Sequence, residues 1–201
     1  MSAIVQRAGL CRVCAAAAIA TLLVSCARDP IVTGMDATTV GSWRVEKGTD
    51  RITGAPISSA ILVTYRVSTT KIIVPPAAQM QLTCFKQEPT AVFRFQFKIG
   101  STRNAEFGYR FDDKPGHIAN ARFVDDYKSV IIEDKEEMAR FVGEMTTSKM
   151  LYVLIRSITV GRTSAEFPID GAPTAINAAL AGCPINAPPQ GHASDRSPPA
   201  G

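Results

Sequence analysis

Histidine is nearly missing from this chain, with two in 201 residues, His117 and His192. Neither stands at the H-x-x-x-H spacing that puts two imidazoles on one helix face, so no metal centre of that kind is expected. There is no G-x-S-x-G elbow, no phosphate-binding P-loop and no dinucleotide-type glycine pattern, which removes three common enzyme signatures. His117 follows Pro115-Gly116 in an expected turn, and His192 falls in a proline-rich end, so both read as solvated side chains. Charge is equally uninformative: 22 Lys and Arg against 18 Asp and Glu leave a formal +4. No basic face with interleaved aromatics appears, so no nucleic-acid partner is expected.

Paired carboxylates are present as Asp112-Asp113 and Asp125-Asp126. Two carboxylates can divide the acid and nucleophile roles of glycoside hydrolysis. Neighbours on a strand point to opposite faces, however, and Asp112-Asp113 leads into Lys114-Pro115-Gly116, where aspartate commonly bonds turn amides. The expected catalytic, cofactor and metal sets are therefore empty.

What is present first is an export signal. Arg7 and Arg12 are unaccompanied by any acid, Val13 to Ala27 carry no charge, and Arg28-Asp29 close the run. A basic segment, an apolar stretch of about 7–15 residues and a small-residue exit make up a secretory signal. The run is too short to span hydrocarbon, which takes roughly 20 residues. Its last four residues, Leu23-Val24-Ser25-Cys26, resemble the bacterial lipobox. That resemblance implies a diacylglyceryl group on the Cys26 thiol and cleavage before it, so that residues 1–25 are a lipoprotein signal peptide. The alternatives are an ordinary secretory signal or a retained membrane anchor. Cys11 and Cys14 lie inside the signal and are assigned no role. Removing the signal takes away Arg7 and Arg12 and no acid, so +4 becomes +2.

Residues 26–40 lack apolar periodicity and read as a tether. Residues 184–201 contain five prolines with almost nothing to bury, and read as a disordered tail. Between them lies one expected domain, residues 41–183, with a dominant period of two. In the segment AVFRFQFKI, Phe93, Phe95, Phe97 and Ile99 share one face while Arg94, Gln96 and Lys98 share the other. EFGYRF and MQLTCF repeat the pattern. Further strands are expected at Gly41–Glu46, Ser58–Ser68, Ala119–Val124, Lys128–Ile132, Leu151–Thr159 and Ser164–Ile169. Two helices are expected. Asp134 and Glu137 form a capping box for the first, whose apolar stripe includes Met138, Phe141 and Val142. Pro173 and Gly182 bracket the second. The fold class is thus mainly β with two short helices (α+β), an antiparallel, sandwich-like sheet. Cys84 and Cys183 remain in the exported body, and an oxidising compartment favours one disulfide between them over two buried free thiols.

The segment AEFPIDGAPTAINAALAGC, together with Trp43 in GSWRVEKGTD, Cys84 in LTCF and the stretch YRFDDKPG, is similar to the periplasmic VasI-like proteins that accompany type VI secretion systems. That resemblance implies a non-catalytic envelope protein with a cysteine pair and no catalytic set to transfer. The expected function is accordingly a cell-envelope lipoprotein, held to the membrane at Cys26 and facing the periplasm, that binds another envelope protein. Trp43, Arg94, Lys98 and Arg110 are candidate outer-face contacts, against the plainer reading of Trp43 as core and the others as solvated. Two alternatives carry different shapes: a wall-glycan hydrolase needs a cleft with convergent carboxylates, and an inhibitor of a lytic enzyme needs a projecting rigid loop.

Overall fold

The structure is a computed structural model that describes residues 32–70, 76–101 and 104–183. Cys26, the signal and the proline-rich tail lie outside them. The described residues build two antiparallel sheets. The larger contains β1 (Val32–Val40), β2 (Trp43–Asp50), β3 (Pro56–Thr64), β5 (Ala78–Phe85), β6 (Glu88–Phe95), β10 (Ser129–Ile132) and β9 (Arg122–Val124), in that spatial order. The smaller runs β4 (Val67–Thr69), β12 (Gly161–Pro168), β11 (Met150–Ser157), β7 (Ala105–Phe111) and β8 (His117–Ile118). Helix α1 (Lys135–Met145) joins β10 to β11, and α2 (Ala172–Ala179) follows β12.

Alternation explains why these strands pack as they do. Ala91, Phe93 and Phe95 of β6 face inward beside Met80 and Leu82 of β5, and Phe107, Tyr109 and Phe111 of β7 face them from the smaller sheet. Phe93 is the meeting point. Its ring lies 5.1 Å from Phe107, 6.0 Å from Phe141 on α1 and 6.0 Å from Phe167 on β12. Pairs at such separations contribute about 0.5–1.5 kcal/mol each beyond their burial. Helix α2 lies against β2, β3 and β5. The Cys84–Cys183 disulfide, with Cα atoms 5.7 Å apart, ties the chain just past α2 to the end of β5.

Two glycines lock the start of this sheet to the start of α2. Gly41 has φ +58° and Gly171 φ +84°; a Cβ on Gly41 would stand 2.2 Å from the Asp170 carbonyl oxygen, and one on Gly171 2.7 Å from that of Val40. The close approach lets Ser42 N donate to Asp170 O at 3.0 Å and Trp43 Nε1 to Ile169 O at 3.4 Å. Trp43 is fully buried. It is a core residue, so its candidacy as an outer contact is withdrawn.

Three expectations need correction. Residues 32–40, read as tether, are a strand, β1, paired with β2 from Val32↔Asp50 to Val40↔Trp43 with a register shift beside Gly34. Residues 34–39 are exposed on both faces of this edge strand, so no apolar alternation existed to announce it. The stretch Ser58–Ser68 is not one strand: the chain leaves the large sheet at Thr64 and joins the small one at Val67, braced by Thr64 Oγ1 donating to Glu166 O at 2.7 Å. The Phe93–Ile99 strand ends at Phe95, although Ile99 is still fully buried.

Candidate functional site

The outer face of the smaller sheet carries a groove of about 530 Å³. Register places its side chains in three rows across β7, β11 and β12: Arg110–Tyr152–Glu166, Gly108–Leu154–Ser164, and Glu106–Arg156–Arg162. The outer rows carry long side chains, while the middle row has none longer than leucine, so a trough runs between them. Gly108 also admits the edge strand β8, since a Cβ there would stand 3.0 Å from His117 O and 3.1 Å from Ile118 Cδ1. Ile118, 58% exposed, forms the wall on that side. The Arg110 guanidinium sits 4.7 Å above the Tyr152 ring, a cation–π contact that holds both at one end. Arg156 and Arg162 stand at the other end, and both also line an adjoining concavity of about 580 Å³ near the exposed Ile158.

Beneath β8 lies a polar cluster that joins α1 to the small sheet. Tyr109 Oη donates to Glu137 Oε1 at 2.6 Å, and His117 Nε2 lies 2.9 Å from the same oxygen. The Tyr109 and His117 rings meet at 4.3 Å, and Arg140 Nη1 approaches Glu137 Oε2 at 4.0 Å. Burial pushes the Glu137 carboxyl up, but bonds from Tyr109, His117 and the Asn120 amide outweigh it and hold the carboxyl below its usual range. Burial, reinforced by the bond to Glu137, pushes the Tyr109 phenol up, so it stays protonated. An ionised carboxylate already accepting these donors is a brace. His117, expected to be solvated, is half-buried here. Glu137, assigned to the capping box, does give its amide to Asp134 Oδ1 at 3.0 Å, but its carboxylate turns inward.

Three of the four paired aspartates are engaged in local contacts. Asp112 Oδ1 accepts from Met150 N at 2.8 Å and Lys149 N at 3.1 Å, with the Asp112 backbone at φ +46°. Asp126 pairs with Lys98 at 2.8 Å, and Asp125 accepts from Ser129 Oγ at 3.4 Å. Among the described residues no group of three or more His, Cys, Asp or Glu is placed to hold a metal ion. Of the candidate outer-face residues, Arg94, Lys98 and Arg110 are exposed but are not brought together. Arg94 lies on the outer face of the large sheet, Lys98 is tied to Asp126, and Arg110 alone reaches the groove.

A second feature projects from the far end of the large sheet. Between β2 and β3, Asp50 Oδ1 accepts from Ile52 N at 2.7 Å and Thr53 N at 2.9 Å, and Gly54 N donates to Asp50 O at 2.8 Å. The Thr53 and Ile52 amides hold the Asp50 carboxyl below its usual range. The result is a bonded turn presenting Ile52 at 81% exposure. Compared with family models, curated proteins and solved structures, the chain matches none of them.

Proposed function

We propose that this chain is a non-catalytic lipoprotein of the bacterial cell envelope, anchored through Cys26 and facing the periplasm, that binds another envelope component through the outer face of its small sheet. The observation that carries the reading is the groove itself, open, sizeable and lined by three arginines. Asp112, Asp125, Asp126 and Glu137, which a hydrolase would need free, are engaged in turns and braces instead. The disulfide suits an oxidising compartment. With β1 starting at Val32, six residue steps separate it from Cys26, a reach of at most about 20 Å. A domain held that close to a bilayer meets membrane-borne ligands at high effective concentration. The likeness of Ala165–Cys183 to the VasI-like proteins supports an accessory role beside a secretion system.

The test is affinity capture from envelope membranes with the intact lipoprotein, its Cys26→Ser form and an Arg156→Ala/Arg162→Ala form. The expected result is capture by the first and weakened capture by the other two. Equal capture by all three refutes the reading. The Asp50-braced turn favours one second reading, an inhibitor that inserts Ile52 into a lytic enzyme. In that case Ile52→Asp abolishes protection in a lysis assay, while the groove variants protect normally.

A further inference from the structure

The groove's charge arrangement goes further than a generic binding face. Arg156 and Arg162 are directly opposed across β11 and β12. Such pairs have Cβ atoms about 4.5–5.5 Å apart, and like charges at that separation oppose folding. Some basic residues elsewhere have acid partners, Arg44 with Glu46, Arg122 with Glu133 and Lys98 with Asp126, and Arg110 at the other end of the groove is held over Tyr152. Arg156 and Arg162 make no ion pair within 4 Å among the described residues, although Glu106 is the neighbour of Arg156 on the other side. Two arginines without an ion pair therefore stand side by side in register where both concavities open.

We propose that the groove binds a phosphorylated sugar, with its phosphate monoester between Arg156 and Arg162 and its hydroxyls against Ser164 and Glu166. The proposal rests on the reading of this face as the binding surface and adds the ligand's chemical class. A phosphate monoester carries about −1.5 to −2 charge and three acceptor oxygens. That satisfies two guanidinium forks at once, whereas a single carboxylate has one charge to share. From Arg156 to Tyr152 along β11 is four residues, about 13 Å. The floor of that span offers the bare backbone of Gly108, the apolar Leu154 and the Ser164 hydroxyl, with the Glu166 carboxylate beyond. A carboxylate there accepts from hydroxyl groups, and with Arg110 in the same row it leaves that end without net charge. The far end therefore suits a neutral, hydroxyl-bearing body, and an acidic peptide fits it poorly.

Calorimetric titration uses the full chain carrying Cys26→Ser, with glucose 1-phosphate, inorganic phosphate, glucose and an acidic hexapeptide as probes. Glucose 1-phosphate is expected to bind saturably and more tightly than the other three. Arg156→Ala and Arg162→Ala each weaken it about tenfold, the loss of one charge-assisted bidentate pair, while Arg44→Ala on the opposite sheet leaves it unchanged. Glu166→Gln and Ser164→Ala weaken glucose 1-phosphate but not inorganic phosphate. Circular dichroism and an intact disulfide establish folding of each variant, and Arg162→Lys, which keeps the charge, retains part of the affinity.

Flotation with phosphatidylcholine vesicles distinguishes the source. An Arg162-dependent preference for vesicles bearing a phosphorylated glucosamine lipid over phosphatidylglycerol assigns the sugar to a membrane headgroup; its absence, with glucose 1-phosphate still bound, assigns it to a soluble ligand. No saturable binding of glucose 1-phosphate, equal loss in Arg44→Ala, or tighter binding of the peptide overturns the proposal. If envelope capture still depends on Arg156 and Arg162 in that event, the binding function stands and only the ligand class is wrong.

Discussion

Replacing Tyr109 with phenylalanine tests whether the cluster under β8 is a charged brace. The substitution removes one hydroxyl, keeps the ring and its contacts with Phe111 and Phe141 at 5.6 and 4.9 Å, and takes a 2.6 Å donor from Glu137. Glu137 is 7% exposed, so water does not readily replace that donor. A hydrogen bond to a charged group contributes about 1.5–3 kcal/mol. For a domain of this size that is a fall in Tm of about 3–12 °C. The pH dependence follows from the direction of the shift. Glu137 is depressed in the folded state, so its stabilisation is present above the unfolded carboxyl value and is lost as pH falls through the folded one. The gap between wild type and Tyr109→Phe is therefore widest at neutral pH. It narrows in acid, as the pH falls through the folded carboxyl value and the bond loses its charge assistance. Urea unfolding of the oxidised protein at pH 7 and pH 3.5 measures both, with the exposed Tyr65→Phe as a control expected within about 0.5 kcal/mol of wild type. A loss below about 0.5 kcal/mol at pH 7, or a gap of equal size at both pH values, would refute the argument.

Opening the 99-residue separation between Cys84 and Cys183 by Cys84→Ala/Cys183→Ala should cost about 2–5 kcal/mol, read by urea unfolding, and abolish the mobility difference between reduced and oxidised wild type. Gly41→Ala places a methyl against the Asp170 carbonyl at a positive φ and should destabilise by more than about 1 kcal/mol. Gly143→Ala, inside α1 with open space around it, should instead stabilise by about 0.5–1 kcal/mol in the same assay. Mass spectrometry of the mature protein should find its first residue to be a diacylated Cys26; an unmodified peptide, or one beginning elsewhere, refutes the anchor.

Period-two patterning reports a strand only where one face is buried and the other wet. Phe93 and Phe95 alternate with Arg94, and Phe107, Tyr109 and Phe111 with Glu106 and Arg110, so β6 and β7 were legible. The same alternation sets Cys84 in line with Met80 and Leu82, where it is partly buried, and the apolar stripe of α1 follows from the 3.6-residue period of a helix. Residues 34–39 of β1 bury neither face, and what holds that strand is backbone pairing with β2, which leaves no trace in side-chain chemistry. The split at Tyr65-Arg66 was hidden for a related reason: β3 and β4 belong to different sheets, yet both continue one β-prone run.

The site was less visible than the fold because register across distant strands creates it. Arg156 is opposed to Arg162 through a short hairpin, but Arg110 reaches Tyr152 only because β7 pairs with β11, 42 positions on. Alternation could mark Arg110 as outward and could not say what stood beside it. Glu137 was obscured differently. Its local role as the third residue after an N-cap accounts for a glutamate completely, so nothing remained to suggest a second partner in Tyr109 or His117. The segments quoted for the family likeness, by contrast, prove to be structural neighbours: the Gly41-Ser42-Trp43 turn seats on Ile169-Asp170-Gly171, and Cys183 closes onto Cys84. Those motifs encode the closure of the two sheets, while the groove takes only Tyr109, Arg110, Gly116, Ala165 and Glu166 from them and is otherwise built from residues outside them.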